Sequence, residues 1–178
     1  MTTSSTGSSV SEPTAEVARW SVDPSRSVVE FAVDTYWGLG AVSGDFDRFE
    51  GSYVRGPDGA HIELTIEAGG LDTGNRMRDK HLRGKEFFDV ESHPDVHYTS
   101  TEVVERTDDT LAVSGYLEAA GRKVPLAFEA TVAEEGDELE IETTTEVDHR
   151  ELGMTYSPLG MIRSPATLHV AARLRPER

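Results

Sequence analysis

The architecture is most legible in residues 111–132, LAVSGYLEAAGRKVPLAFEATV. Leu111, Val113, Gly115 and Leu117 share one parity, and Val124, Leu126, Phe128, Ala130 and Val132 share another. A period of two with one apolar face is the signature of a strand buried on one side. Ala120-Gly121 lies between the two runs, which makes the pair a hairpin.

The same alternation extends in both directions. Val29, Phe31 and Val33 alternate with polar or small residues, as do Ile62, Leu64 and Ile66. Leu139, Ile141, Thr143, Thr145 and Val147 follow, and Leu168, Val170, Ala172 and Leu174 close the chain. Turn chemistry separates the runs at Gly56-Pro57-Asp58-Gly59, Asp108-Asp109 and Glu135-Gly136-Asp137. Eight or nine strands are therefore expected, at 17–22, 27–36, 41–54, 60–68, 95–106, 110–119, 122–134, 138–149 and 166–175. Long alternating strands joined by hairpins favour an up-and-down barrel over a sandwich of short strands. At about eight strands the interior is either packed solid or holds one small ligand. Small residues at inward positions (Gly44, Gly115, Ala130, Ala172) leave room for a tunnel without requiring one.

One segment breaks the alternation. Asn75–Gly84, NRMRDKHLRG, is charged and lacks β-branched residues, with Asn75 placed as an N-cap and Gly84 where a helix stops. It predicts a short amphipathic helix over one barrel opening, anchored by Phe87 and Phe88.

Composition narrows the function. Seventeen Lys and Arg against 33 Asp and Glu give a net charge of −16, which repels nucleic acid and anionic leaflets alike. No run approaches the roughly 18 apolar residues of a membrane helix, so no membrane insertion is expected. No cysteine is present, which removes thiolate chemistry and cysteine metal sites. Residues 1–16 are rich in Ser and Thr without an apolar core, and read as a disordered tail before a single domain at 17–178. A cytoplasmic location follows from that reading.

Chemistry-bearing motifs are sparse. His93 and His97 frame Asp95, yet Pro94 disturbs the strand and no further ligand stands at metal spacing, so no metal is assigned. There is no GxSxG, and Gly38-Leu39-Gly40 lacks the Lys and helix of a phosphate loop. Arg78-Asp79 with His81 is the most enzyme-like group, bringing acid, base and cation together.

Several motifs together resemble the YceI-like proteins, lipocalin-like barrels that bind polyisoprenoids. Trp20-Ser-Val-Asp-Pro24 followed by Ser27-Val-Val-Glu-Phe31 is similar to the family's opening strands, and Val42-Ser-Gly-Asp-Phe46 to its V-x-G-x-F strand. Asp72-Thr-Gly-Asn75, Arg78-Asp-x-His-Leu82 and Phe87-Phe-Asp-Val90 match its most distinctive stretch, and Arg150-Glu-Leu-Gly153 its R-[DE]-[FL]-G turn. Leu117-Glu-Ala-Ala-Gly121 departs from the family's L-T-[IL]-x-G. The resemblance implies an all-β, eight-stranded antiparallel lipocalin-like barrel with one short helix at its mouth. It further implies an apolar channel, an isoprenoid lipid or isoprenoid quinone as ligand, no enzymatic reaction and no cofactor.

The residues expected to line the ligand are Val29, Phe31, Val33, Phe46, Ile62, Leu64, Ile66, Met77, His81, Phe88, Val113, Leu126, Phe128, Leu168 and Val170. Arg76, Arg78 and His81 are the candidates for a head-group contact. Two rivals stand beside this reading: an enzyme using Asp79 and His81 as acid and base on a small amphiphile, and a solid-cored interaction module. A homodimer is left open.

Overall fold

Chain closure begins at the C-terminal strand, which pairs on one flank with two separate N-terminal segments. The computed structural model describes residues 16–35 and 39–177. The tail expectation for 1–16 lies, but for Glu16, outside them, as does Tyr36 at the end of the second expected strand. Eleven strands occur among the described residues. They are β1 (Ala18–Val22), β2 (Val28–Thr35), β3 (Gly40–Phe46), β4 (Phe49–Gly56), β5 (Gly59–Glu67) and β6 (Leu71–Asp72). β7 (Asp95–Thr107), β8 (Thr110–Ala119), β9 (Arg122–Glu135), β10 (Glu138–Val147) and β11 (Ala166–Pro176) follow. The one α-helix among the described residues, α1 (Arg76–Leu82), lies between β6 and β7.

All pairings are antiparallel, in the order β1-β4-β5-β7-β8-β9-β10-β11, with β11 returning to β1. That ring is a closed eight-strand barrel, and closure removes the exposed edges an open sheet would carry. β11 meets β1 through Leu174–Pro176 and β2 through 167–171, so β1 and β2 act as one stave interrupted at Pro24–Arg26. Asp23 holds the interruption: its carboxylate accepts from Ser25 N and Oγ at 3.1 and 2.6 Å, and its amide donates to Arg173 O at 2.8 Å.

β3 and β4 form a second broken stave. The sequence predicts one strand over 41–54; the structure bends it at Asp47-Arg48. Above the bend β3 pairs with β2 and β6, and below it β4 pairs with β1 and β5. The bend lets one segment serve two sets of neighbours, with Asp47 N on Gly70 O at 3.3 Å and Glu67 N on Arg48 O at 2.9 Å.

The two-residue β6 pairs only with β3, so no backbone ladder joins β6 to β7 at this end. Helix α1 occupies that opening. The Asn75 side chain caps it, accepting from Met77 N and Arg78 N at 3.1 Å each. Arg83 donates to Gly69 O and Leu71 O at 3.0 and 2.6 Å, which fastens the helix to the barrel rim.

Two small-residue positions serve a purpose other than the tunnel space suggested by sequence. A Cβ on Gly115 would fall 2.3 Å from Thr99 O and 2.7 Å from the Tyr98 hydroxyl, and one on Gly44 would fall 2.7 Å from Asp72 O. Both glycines permit close approach. Tyr98 leans over Gly115 and donates to Leu126 O at 3.2 Å.

Leu71, Leu111 and Val113 are the most deeply buried large side chains. Leu111→Ala should lower stability by about 2–5 kcal/mol through an unfilled cavity. Met77→Ala, on the exposed face of α1, should stay within about 0.5 kcal/mol. Paired urea melts check both.

Candidate ligand cavity

Because successive side chains alternate across each strand, one parity of every stave converges on the barrel axis. The walls do not meet there. They enclose a cavity of about 390 Å³. β2 and β3 contribute Val29, Phe31, Val33 and Phe46, and β5 contributes Ile62, Leu64 and Ile66. Leu126 and Phe128 come from β9, and Leu168 and Val170 from β11. Phe88 and His81 close one end, from α1 and the turn after it. Thirteen of the fifteen residues expected to line the ligand thus line one space.

Met77 and Val113 do not, and both readings are corrected. Met77 is 84% exposed because α1 turns Arg78 and Leu82, four residues apart, toward the cavity and leaves Met77 facing outward. Val113 does point inward, but it is 1% exposed and sits in register between Val103 and Phe128, sealed inside the packed wall. Of the head-group candidates, Arg78 and His81 reach the cavity, and Arg76 stays on the exposed surface.

The sequence reading missed a second element of the mouth, the connection from β10 to β11. His149, Leu152, Met154, Tyr156 and Ile162 from this segment all line the cavity. Its fold is held by side chains. Asp148 accepts from the Ser164 hydroxyl at 2.6 Å and from Arg150 N, Nε and Nη2 at 2.9–3.0 Å. The Arg150 guanidinium and the Ser164 hydroxyl hold the Asp148 carboxyl well below the usual carboxylate range. The buried His149 ring sets its two nitrogens 2.8 Å from Met154 O and 3.1 Å from Arg163 O. The missed signal was the spacing of Leu152, Met154 and Tyr156 at alternate positions in a segment without strand length.

The two mouth elements meet through aromatic rings. His81 packs edge-on to Tyr156 and Phe87, with centroids 4.7 and 5.2 Å apart, and Phe46 packs edge-on to Phe88 at 5.8 Å. His81 Nε2 also lies 2.6 Å from Glu86 Oε2. Phe87 and Phe88 are therefore inner-surface anchors at the mouth, as their adjacency in sequence suggests.

The enzyme-like pairing does not assemble. Asp79 is 5% exposed, and its Oδ1 accepts from Thr73 N and Oγ1 at 3.0 and 2.5 Å. Its carboxylate locks the entry to α1 outside the cavity that His81 lines. Among the described residues no three His, Asp or Glu side chains are grouped to hold a metal ion. No helix there is long and apolar enough to cross a membrane.

A profile of the YceI-like domain matches residues 20–174. A UPF0312 protein of Pectobacterium atrosepticum is 32% identical over 116 residues, 64% of this chain and 59% of its own length. A protein YceI of Salmonella arizonae is 30% identical over 129 residues, 70% of this chain and 66% of its own length. The chain thus spans about three fifths to two thirds of these relatives. The crystal structure of Burkholderia cenocepacia BcnA superposes with a TM-score of 0.78 at 17% identity, covering 85% of this chain and 98% of that one. A polyisoprenoid-binding domain from Saccharophagus degradans, implicated in plant cell wall breakdown, gives 0.74 at 14% identity, covering 89% and 98%. At those identities the likeness concerns the fold.

Tyr98 supplies a probe of the dry wall. Burial pushes its phenol up to about 12. The folded state therefore keeps Tyr98 neutral where the unfolded chain, titrating near 10, ionises it. Its contribution is intact below pH 10 and is lost as pH rises from about 10 to 12. Ultraviolet titration should show a phenolic step near pH 12. Tyr98→Phe should remove that step and flatten the alkaline loss of stability.

Proposed function

The chain belongs to the YceI-like family, and on that premise we propose that it binds a long-chain isoprenoid lipid, of polyprenyl or isoprenoid-quinone type, without transforming it. The observation that carries this reading is the cavity itself. Folded interiors are close-packed. An unfilled void of about 390 Å³ would cost on the order of 9 kcal/mol at about 24 cal/mol per Å³. That rivals the whole stability of a typical domain, roughly 5–15 kcal/mol. A space of this size fits a ligand site, for which about 300–1,000 Å³ is usual, better than a packing fault.

The lining favours an apolar tail. Aliphatic and aromatic side chains from β2, β5, β9 and β11 dominate it, with Arg78 and His81 entering from α1. Burial of hydrocarbon at about 25 cal/mol per Å² drives binding, offset by the cost of ordering a flexible chain. Arg78 is partly committed, donating to Thr73 Oγ1 and O at 2.8 Å each, so a polar head would compete with or extend that contact. Affinity then comes from the tail, and orientation from the α1 end. A cytoplasmic site of action belongs to the same proposal, and fractionation of cells expressing the native protein tests it.

Extraction of denatured protein followed by mass spectrometry of the lipid fraction tests the ligand. An isoprenoid is expected; recovery of no lipid, or of a turned-over amphiphile, overturns the reading. Phe128→Ala should admit longer tails while the barrel stays folded, because Phe128 has cavity on one side. Retention of the same tail lengths by wild type and variant would show that Phe128 does not bound the ligand.

A further inference from the structure

The three most exposed large apolar side chains among the described residues are Leu39 at 89%, Leu159 at 85% and Met77 at 84%. They come from segments far apart in sequence: the connection between β2 and β3, α1, and the connection between β10 and β11. The fold brings all three segments to one end of the barrel. Thr35 bridges to Ile162 and Arg163 N donates to Asp34 O at 2.9 Å, joining the β2 end to the β10–β11 connection. The ring contact of His81 with Tyr156 joins α1 to that same connection.

Acidic residues are scarce in the segments that carry these three side chains. In a chain of 33 acidic residues, 35–44 and 152–176 contain none, and 73–85 contains only the buried Asp79. Exposed basic residues Arg76, Lys80, Lys85 and Arg163 stand around the opening and enter none of the ion pairs found among the described residues. Glu86 at this end is engaged by His81, and Asp148 by Arg150. Asp89, Glu91 and Glu151 stand at this same end on its β8–β9 side, where Gly121 sits against His93 and Gly153 against Arg122, and exposed Asp34 borders Arg163. The opposite end presents Asp58, Asp108, Asp109, Glu135 and Asp137 at its hairpin tips.

We propose that the cavity mouth is a membrane-docking surface, in which Leu39, Met77 and Leu159 enter an anionic lipid bilayer while Arg76, Lys80, Lys85 and Arg163 meet its headgroups. The proposal rests on the lipid-ligand reading, since it supplies the route by which a water-insoluble tail reaches the cavity. The net charge of −16 does not prevent it. Ten tilted residues of strand set the acidic tips about 25 Å away, roughly three screening lengths at physiological salt. The basic group on α1 and at Arg163 instead orients the barrel with that side of the mouth toward the bilayer.

Flotation of the full chain with phosphatidylcholine vesicles, alone or mixed with phosphatidylglycerol, tests this. Wild type should float with the mixed vesicles and far less with phosphatidylcholine alone. The triple variant Leu39→Asp, Met77→Asp, Leu159→Asp should lose about tenfold or more of the bound fraction. Arg76→Glu with Lys80→Glu should abolish the preference for the anionic vesicles. Val104→Asp with Tyr116→Asp, exposed elsewhere on the wall, should float as wild type does. Unchanged urea midpoints and unchanged co-purified lipid in the rim variants would separate lost docking from lost folding or lost ligand. Equal flotation of rim variants and wild type, or wild-type flotation indifferent to phosphatidylglycerol, overturns the proposal. So does a dimer in light scattering that the rim variants dissociate without any vesicle binding, because a second copy then covers the rim. Vesicle binding through the rim by a protein carrying no isoprenoid would leave the docking surface standing and remove the ligand reading alone.

Discussion

Everything else in this molecule depends on the pairing of β11 with two N-terminal segments at once. A single straight strand opposite β11 would close the barrel along one line. Instead the chain turns at Pro24–Arg26, so that 167–171 engages β2 and Leu174–Pro176 engages β1. Asp23 is nearly buried at that turn, bonded to Ser25 and ion-paired with Arg175 from β11 itself. The Ser25 hydroxyl is the first reason its carboxyl lies below the ordinary value, with Arg175 adding to it. The bend at Asp47-Arg48 follows from this one. Once the first stave is split between two partners, the next must split as well to pair with both halves.

Those two bends make a barrel that is closed by backbone ladders at one end and by side chains at the other. Where β6 stops after two residues, nothing of the sheet remains to close the mouth, and α1 and the β10–β11 connection take over. Their contacts are aromatic edges and arginine-to-carbonyl bonds, which can be exchanged locally without opening a ladder. Such contacts belong to the less stable parts of a fold. A ligand site with one rigid end and one end closed in this manner is consistent in its energetics with an occupant that enters through the mouth.

The polar residues of α1 show how a motif can mislead when read as chemistry. Acid, base and cation within four residues suggest proton transfer. In the structure, Asp79 satisfies Thr73, Arg78 binds the same residue, and Arg83 binds Gly69 and Leu71. Each holds the short helix over an opening that no strand covers. A seven-residue helix is marginal on its own, so its placement depends on these bonds.

Alternation in the sequence by itself determined the strands, their inward parity, the hairpins and the helix cap, because each follows from local periodicity and turn chemistry. Phe31, Ile62, Leu126, Phe128 and Leu168 were legible as inward on that ground alone. Tertiary structure decided what periodicity cannot encode. It set whether opposing walls touch or leave a cavity, since that depends on barrel diameter. It decided that Gly44 and Gly115 admit neighbours rather than ligand, because their partners come from other strands. It turned Met77 outward through the rotation of α1, and sealed Val113 behind Val103 and Phe128. The contribution of Leu152, Met154 and Tyr156 was equally invisible, because an aperiodic segment acquires an inner face only when Asp148 and His149 fold it across the barrel mouth.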